Sequence, residues 1–269
     1  MENMKTKYKS VLTIAGSDSG GCAGIQADIK SISACGAYAA SVITATTAQN
    51  TQGVFDIHAI PIAHVEQQLD AVLNDIDFGA IKIGMLHSCE IIQAVQQKLA
   101  QYDAKNIVLD PVMVATSGDR LIHDDAVECL KAFLPKTSLI TPNIPEAELL
   151  IGETITLDNM EEAARKAGHT YQTSVLLKGG HLDHTSDQML DLLYLLQEDE
   201  LIRIEHPKIE TNNTHGTGCS LSSSIAAFLS LDEDLATAVR KGCAYINRAI
   251  AGGKDRVLGK GNGPVHHFV

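Results

Sequence analysis

Short apolar runs alternate with amphipathic stretches along the first 180 residues of the chain. The runs are rich in β-branched residues and predict strands, whereas the stretches repeat their apolar positions at the helical period. The predicted strands are Ser10–Ala15, Ser41–Thr47, Ala80–Met85, Asn106–Pro111, Ser138–Thr141 and Ser174–Gly179. The predicted helices are Ala23–Cys35, Ile62–Asp75, Ser88–Tyr102, Asp124–Leu134, Pro145–Ile151 and Asn159–His169. This alternation predicts a mainly parallel sheet with helices on both faces.

The pattern changes after Asp187. Two strand-like segments, Met189–Leu196 and Leu201–Glu205, are separated by four polar residues and predict an antiparallel hairpin at one sheet edge. Two helical segments follow, Thr217–Ser230 and Leu235–Gly252. Since no repeat or linker interrupts the pattern, we expect one three-layer α/β domain over residues 1–269.

Polar residues follow four of the predicted strands. They are Gly16, Ser17 and Asp18 after the first strand, Asp110 after the fourth, Asn143 after the fifth and Lys178 after the sixth. Ligands of an open parallel sheet bind at the carboxyl ends of its strands, so these residues predict a site there. The glycine-rich loop 15–24 fits neither the dinucleotide-binding nor the Walker A pattern, which disfavours a Rossmann dehydrogenase and a P-loop NTPase.

The residues from Thr214 to Cys219, THGTGC, lead directly into a predicted helix. Gly216 and Gly218 allow a tight turn, and the free N–H groups at the helix start favour an anion such as a phosphoryl group. In that position the thiol of Cys219 is expected to have a lowered pKa. The structural alternative is a capped helix start with a buried cysteine.

Other candidate residues have two interpretations each. Asn143 and Glu146 could serve Mg²⁺, or they could form a capping box. Asp28 could complement a helix dipole or face the pocket. Gln49 could bind the edge of a heterocycle or belong to a polar turn. The ammonium of Lys178, at the end of an apolar strand, could reach solvent or an anion, and contact with a phosphate is the favoured interpretation.

Composition excludes several classes of function. A net charge of −12 disfavours nucleic acids and anionic membranes, and the lack of tryptophan disfavours base-stacking surfaces. The six cysteines contain no CxxC pair, so we expect neither a zinc site nor a disulfide framework, and a reducing cytoplasm. No run of 18 apolar residues occurs, which predicts a soluble protein. Neither HExxH nor GxSxG is present, and His266 and His267 are too short a pair to predict a metal site.

Eight ordered strings, from about Val11 to His267, together resemble one enzyme family. They include LTIAGSDSGG at 12–21, KIGML at 82–86, LITPNIPEAELL at 139–150, LLKGGH at 176–181 and NTHGTGCSLS at 213–222. The family is the bacterial hydroxymethylpyrimidine/phosphomethylpyrimidine kinases of the ribokinase-like superfamily. The resemblance implies a ribokinase-like sandwich, a homodimer, and the use of ATP and Mg²⁺. It also implies phosphorylation of 4-amino-5-hydroxymethyl-2-methylpyrimidine and of its monophosphate in thiamine biosynthesis.

The resemblance also implies roles for individual residues. The pyrimidine would be bound by Gly16, Asp28, Thr47, Gln49 and Met85. The Mg²⁺-nucleotide would be served by Asn143, Glu146 and Asp110, and its phosphates by Lys178 and Thr217. An anion hole would be formed by Gly216, Thr217, Gly218 and Cys219, with Cys219 beside the attacking hydroxymethyl group.

Two residues depart from the family pattern. Cys22 stands where glycine is common, which would cost about 1 kcal/mol if φ must be positive there. Thr47 stands where an aliphatic residue is common. The segment Met113–Ile122 predicts a mobile lid over the site.

Two other functions remain open at this stage. A pyridoxal or pyridoxamine kinase would share the fold and the anion hole. A regulator that binds a nucleotide or a vitamer without catalysis would bind its ligand without releasing ADP.

Overall fold

A computed structural model describes residues 6–113, 124–180 and 187–269. In these ranges nine strands form one sheet, and eight α-helices and a short 3₁₀ helix (Leu134–Lys136) connect them. The strands are β1 (Ser10–Asp18), β2 (Tyr38–Asn50), β3 (Gly53–Ala59), β4 (Ala80–Ile83), β5 (Ile107–Leu109), β6 (Leu139–Ile140), β7 (Ser174–Lys178), β8 (Gln188–Leu195) and β9 (Glu200–Pro207). The helices are α1 (Gly24–Ala34), α2 (Ile62–Leu73), α3 (Cys89–Gln101), α4 (Asp124–Phe133), α5 (Ile144–Ile151), α6 (Met160–Tyr171), α7 (Thr217–Ser230) and α8 (Leu235–Gly253).

The sheet has the strand order β3-β2-β1-β4-β5-β6-β7-β8-β9. Six adjacent strands are parallel to one another, namely β2, β1, β4, β5, β6 and β7. The other three, β3, β8 and β9, run antiparallel to their neighbours. The predicted α/β fold, with a mainly parallel sheet and an edge hairpin, is therefore confirmed. Strand β3, which lies at the opposite edge, was not predicted from the sequence.

Two hydrophobic cores lie on opposite faces of this sheet. Successive side chains of β1 point to opposite faces of the sheet. Leu12 and Ile14 therefore lie in one core and Val11 lies in the other. The first core is covered by α2 to α6, and the second by α1, α7 and α8. The layers therefore follow the order helix, sheet, helix.

Side-chain caps fix the start of several helices. Ser88 accepts a hydrogen bond from the N–H of Ile91 at the start of α3, and Asp234 accepts one from Thr237 at the start of α8. Helix α7 begins differently, because it follows Gly216 in the left-handed region with φ +83° and has no side-chain cap. The N–H of Thr217 donates to the carbonyl of Thr214 at 3.2 Å, whereas the N–H groups of Gly218 and Cys219 stay available for a ligand.

A disulfide bond joins Cys89 at the start of α3 to Cys129 in α4, with Cα atoms 5.4 Å apart. The expectation that the cysteines form no disulfide is therefore wrong. The two residues are 40 positions apart in sequence, and only the packing of α3 against α4 brings them together. Among the described helices, none is both long and apolar enough to cross a membrane.

Candidate active site

The loop between β1 and α1 is organised by the carboxylate of Asp18. Its oxygens accept hydrogen bonds from the N–H groups of Gly20 at 2.7 Å and of Cys22 and Ala23 at 2.8 Å. Cys22 is fully buried and does not have a positive φ, so the strain considered for this position is not present. The loop is thus held firmly at the carboxyl end of β1.

Two glycines allow this first loop to approach its neighbours closely. A Cβ atom on Gly16 would lie 2.5 Å from Cε of Met85, the residue two positions after β4. A Cβ atom on Gly216 would overlap the carbonyl oxygen of Cys22. The loop before α7 therefore packs directly on the loop before α1, and both border one site.

Gln49, near the end of β2, is held by its neighbours on two sides. Its Oε1 accepts a hydrogen bond from Thr47 at 3.1 Å, and its Nε2 lies 3.0 Å from Nε2 of His215. Burial lowers the pKa of His215, and the nearby carboxylate of Asp18 opposes this effect. A neutral His215 can accept a hydrogen bond from the Gln49 amide, which fixes the orientation of that amide. His215 was not predicted as a site residue, although His215 directly precedes the GTGC motif.

Asp28 lies in a buried ion pair rather than at the start of α1. Its oxygens lie 2.8 and 2.9 Å from Nζ of Lys82, and both side chains are fully buried. The same carboxylate accepts hydrogen bonds from Thr13 at 2.6 Å and Ser223 at 2.8 Å. Asp28 therefore neither caps the helix dipole nor faces an open pocket. Lys82 was not predicted as a site residue, although a lysine within the apolar strand AIKI was a signal.

The ends of β5, β6 and β7 bring together Asp110, Asn143 and Lys178. Nζ of Lys178 lies 3.0 Å from Oδ1 of Asp110, which also accepts a hydrogen bond from Thr141 at 3.0 Å. Burial tends to lower the pKa of Lys178, but the carboxylates of Asp110 and Glu146 outweigh it and raise that pKa. Lys178 is therefore a charged ammonium within this cluster.

Glu146 and Asn143 form a capping box at the start of α5. The Asn143 N–H donates to Oε2 of Glu146 at 2.8 Å, and the Glu146 N–H donates to Oδ1 of Asn143 at 2.9 Å. Burial raises the pKa of Glu146 to about 7; Lys178 opposes this shift and Asp110 adds to it. The capping interpretation of the pair holds, and the backbone N–H of Met113 also hydrogen-bonds to the Glu146 carboxylate.

The start of α7 faces this cluster of charges. A Cβ atom on Gly218 would lie 3.2 Å from Oδ2 of Asp110 and 3.4 Å from Nζ of Lys178. Thr217 donates its hydroxyl to the carbonyl of Thr214 at 2.7 Å, which stabilises the turn that leads into the helix. The helix start and the lysine together make a site suited to an anion.

The thiol of Cys219 differs from the expectation. Burial raises its pKa to about 11, and the charge of Lys82 only partly opposes this rise. The carboxylates of Asp28 and Asp110 add to it. The expected lowering of this pKa is therefore wrong, because desolvation outweighs the field at the start of the helix.

The segment 259–267 packs against residues of the site. The N–H of His215 donates to the carbonyl of Gly263 at 3.1 Å, and His215 forms an isolated parallel β-bridge with Pro264. Nε2 of His267 lies 3.2 Å from the Ser220 hydroxyl. His267 thus has a structural contact, which accounts for it without a metal ion.

Among the described residues, Asp18, Cys22 and His215 are the one group of three potential metal ligands, with ligand atoms within 4.8 Å of one another. The carboxylate of Asp18 already accepts three N–H groups, so it is committed to the loop. Most of the expected lid, Met113–Ile122, lies outside the described residues, as does His181.

The chain matches the family model described as phosphomethylpyrimidine kinase over residues 18–266. It is 48% identical over 261 residues to the hydroxymethylpyrimidine/phosphomethylpyrimidine kinase of Rhizobium meliloti, covering 96% of each chain. It is 47% identical over 262 residues to a thiamine biosynthesis bifunctional protein of Geobacter sulfurreducens. That match covers 97% of this chain but about half, 52%, of the Geobacter protein.

Two solved structures are also similar. The phosphomethylpyrimidine kinase of Clostridium difficile 630 has a TM-score of 0.78 and 41% identity, covering 90% of this chain and 99% of that one. The ADP complex of the pyridoxal kinase of Bacillus subtilis has a TM-score of 0.88 but only 30% identity, covering 97% and 98%. Fold similarity therefore extends to both kinds of kinase, whereas the family model and the more identical relatives agree on one. The chain belongs to the phosphomethylpyrimidine kinase family.

Proposed function

We propose that this protein transfers the γ-phosphoryl group of ATP to 4-amino-5-hydroxymethyl-2-methylpyrimidine and then to its monophosphate. The observation that carries this proposal is the start of α7 facing Lys178 and Asp110 at the carboxyl end of the sheet. Free N–H groups and an ammonium suit a transferring phosphoryl group. The named relatives support the choice of the pyrimidine.

The pyrimidine ring is proposed to lie between the first loop and β2. Gly16 and Met85 supply a close-packed apolar wall, since a Cβ on Gly16 would collide with the Met85 methyl group. Thr47 and His215 hold the Gln49 amide, which has hydrogen-bonding capacity left for the edge of a heterocycle. Asp28 makes no direct contact with the ring in this proposal, because its oxygens are already bonded to Lys82, Thr13 and Ser223.

The nucleotide phosphates are proposed to lie over Lys178, Thr217 and Asn143. The carboxylates of Asp110 and Glu146 are hard oxygen donors of the kind that Mg²⁺ prefers. Their mutual repulsion helps to raise the pKa of Glu146, and a bound cation would relieve that repulsion. Mg²⁺ held there would neutralise charge on the nucleotide phosphates.

The chain's own residues contribute mainly by positioning and charge. The N–H groups at Gly218 and Cys219 donate to the oxygens of the phosphoryl group as negative charge develops on them. Cys219, with its pKa of about 11, keeps its proton at neutral pH and positions the attacking hydroxyl group. Because phosphoryl transfer has a loose transition state, the hydroxyl proton can leave late without a strong base.

The assembly and the compartment are also part of this proposal. A homodimer is favoured by β3, an edge strand whose Phe55 is 68% exposed and whose Ile57 is also exposed. A cytoplasmic location stays a prediction. It requires that the Cys89–Cys129 bond persist, or be dispensable, in a reducing environment.

The function is tested by an ADP-release assay with Mg-ATP and three separate acceptors: hydroxymethylpyrimidine, its monophosphate and pyridoxal. We expect turnover of both pyrimidines and a much smaller kcat/KM with pyridoxal. A preference for pyridoxal would assign the chain to the chemistry named for the Bacillus subtilis neighbour. Ligand binding without ADP release would instead identify a regulator.

A further inference from the structure

The ion pair between Lys82 and Asp28 is buried in the middle of the fold. Both side chains are fully inaccessible, and their charged atoms lie 2.8 and 2.9 Å apart. Buried ion pairs seldom add stability over apolar residues of similar volume, because desolvation offsets their attraction. Stability alone therefore gives a weak reason for a charged pair at this position.

The pair lies directly beneath the proposed anion hole. Ser223, which donates to Asp28 at 2.8 Å, follows Cys219 by four residues on α7 and so lies on the same face, one turn deeper. A Cβ atom on Gly84 would lie 2.7 Å from Nζ of Lys82. The missing side chain at Gly84 therefore leaves room for the ammonium at the end of β4.

The two charges of the pair do not act equally on the anion hole. At Cys219, Lys82 lowers the thiol pKa by more than Asp28 raises it, although burial remains the larger effect. Burial opposes the charge of Lys82 itself, but Asp28, Cys219 and Asp110 together raise its pKa. Of the two charges, that of Lys82 therefore has the larger effect on Cys219 at the start of α7, while Asp28 is held there by Ser223.

We propose that Lys82 is a positioning residue whose buried ammonium, held by Asp28, directs positive charge toward the anion hole at Gly218 and Cys219. Lys82 does not contact the substrate in this role. Its charge reinforces the α7 dipole and stabilises the negative charge that develops on the transferring phosphoryl group. This inference rests on the proposed kinase function.

The first test separates charge from stability. Lys82→Met combined with Asp28→Asn removes both charges and leaves no unpaired ion, while Thr13→Val removes one hydrogen bond and keeps both charges. We expect the double variant to keep its KM for the pyrimidine within about 3-fold but to lose kcat by at least about 10-fold. Thr13→Val should keep kcat. Near-wild-type kcat in the double variant would overturn the proposal.

The second test does not require turnover. The rate at which iodoacetamide alkylates Cys219 at pH 9 is read by peptide mass spectrometry. The charged groups that act on this thiol include Lys82, Asp28, Asp110 and Lys178. Lys82→Gln keeps a hydrogen-bond donor for Asp28 but loses the charge, so alkylation should slow by at least about 3-fold. An equal or faster rate would overturn the proposal.

The two tests also separate this inference from the proposed function. If wild-type protein phosphorylates none of the three acceptors, the kinase proposal fails, yet alkylation still reports the effect of Lys82. If wild-type protein turns over and the Lys82 variants match it in both tests, only the role of Lys82 fails.

Discussion

At the scale of single residues, burial raises the pKa of two acids in the site. Each therefore stays protonated to a higher pH than it would in water. The thiol of Cys219 has a pKa of about 11, and the carboxyl of Glu146 has one of about 7. Nearby lysines oppose both shifts without cancelling them. Cys219 is therefore a hydrogen-bond donor at neutral pH, whereas Glu146 can change its charge in the physiological range.

For Cys219, we expect the substitution Cys219→Ser to keep kcat within about 10-fold of wild type, because a neutral hydroxyl can replace a neutral thiol. The kcat of the wild type should show no rise with a pKa near 9. The measurement is kcat against pH for both proteins. A loss far beyond 10-fold, with unchanged folding, would instead indicate a required thiolate.

For Glu146, the raised pKa implies a stability effect of known sign. Ionising the buried carboxyl destabilises the folded protein. This loss of stability is absent below pH 4.5 and complete above pH 7. Glu146→Gln keeps the capping box and should stabilise the ligand-free protein at pH 8 by up to about 3 kcal/mol. Denaturant unfolding at pH 8 and pH 4.5 checks this, and an equal gain at both values would contradict it.

At the scale of elements, α7 depends on two glycines for different reasons. Gly216 has φ +83° and no space for a Cβ beside the Cys22 carbonyl, whereas Gly218 lies within the helix and faces Asp110 and Lys178. The first glycine lets the helix dock, and the second leaves its N–H groups accessible. Substituting alanine for each glycine in turn therefore separates the two roles.

We expect Gly216→Ala to destabilise the protein by at least about 2 kcal/mol, because it adds both backbone strain and overlap. Gly218→Ala should leave stability unchanged or raise it by up to about 1 kcal/mol, since alanine favours helices. Its kcat should nevertheless fall by about 100-fold because the methyl group would occupy the proposed anion hole. Equal effects of the two variants on melting temperature would show that this distinction is wrong.

The disulfide between α3 and α4 permits a separate measurement at this scale. It closes a loop with a sequence separation of 40, for which chain entropy gives roughly 4 kcal/mol of stabilisation. We expect reduction to lower the melting temperature by roughly 10 °C. The double variant Cys89→Ser and Cys129→Ser serves as the control, since it should not respond to reductant. Six titratable thiols in the untreated protein would rule the bond out.

The sequence predicted those elements whose pattern is strong by itself. The bounds of α7 were predicted correctly, because THGTGC marks its start and an apolar run fills its length. Strand β3 was missed, since most of GVFDIHA is exposed and its pairing depends on β2. Lys82, His215 and the disulfide were missed for a related reason, because each depends on a partner distant in sequence.

At the scale of the whole molecule, the two edges of the sheet differ. The hairpin β8–β9 has residues of both strands in the second core, whereas most of β3 is exposed, including Phe55 and Ile57. An exposed apolar edge strand invites pairing with another chain. The β3 edge is therefore the surface on which we expect the second protomer.

We expect Phe55→Glu to convert the proposed homodimer to a monomer, because it would place a charge in an apolar interface. Light scattering coupled to size-exclusion chromatography measures the mass of both proteins. Tyr8→Glu is the matched control, since Tyr8 is 82% exposed but precedes β1. A wild-type monomer, or a Phe55→Glu variant that stays dimeric, would contradict the assignment.

The segment 259–267 also contacts residues that lie more than 200 positions earlier in the sequence. The N–H groups of Lys260 and Gly261 donate to Thr51, while Gly263 holds His215, which in turn lies beside Gln49. During synthesis on the ribosome, the N-terminal strands emerge long before these residues exist. The sheet can therefore begin to form early, but the pocket around Gln49 is completed only after residue 263 has left the exit tunnel. A nascent chain stalled before that point would hold a folded scaffold with an unfinished site.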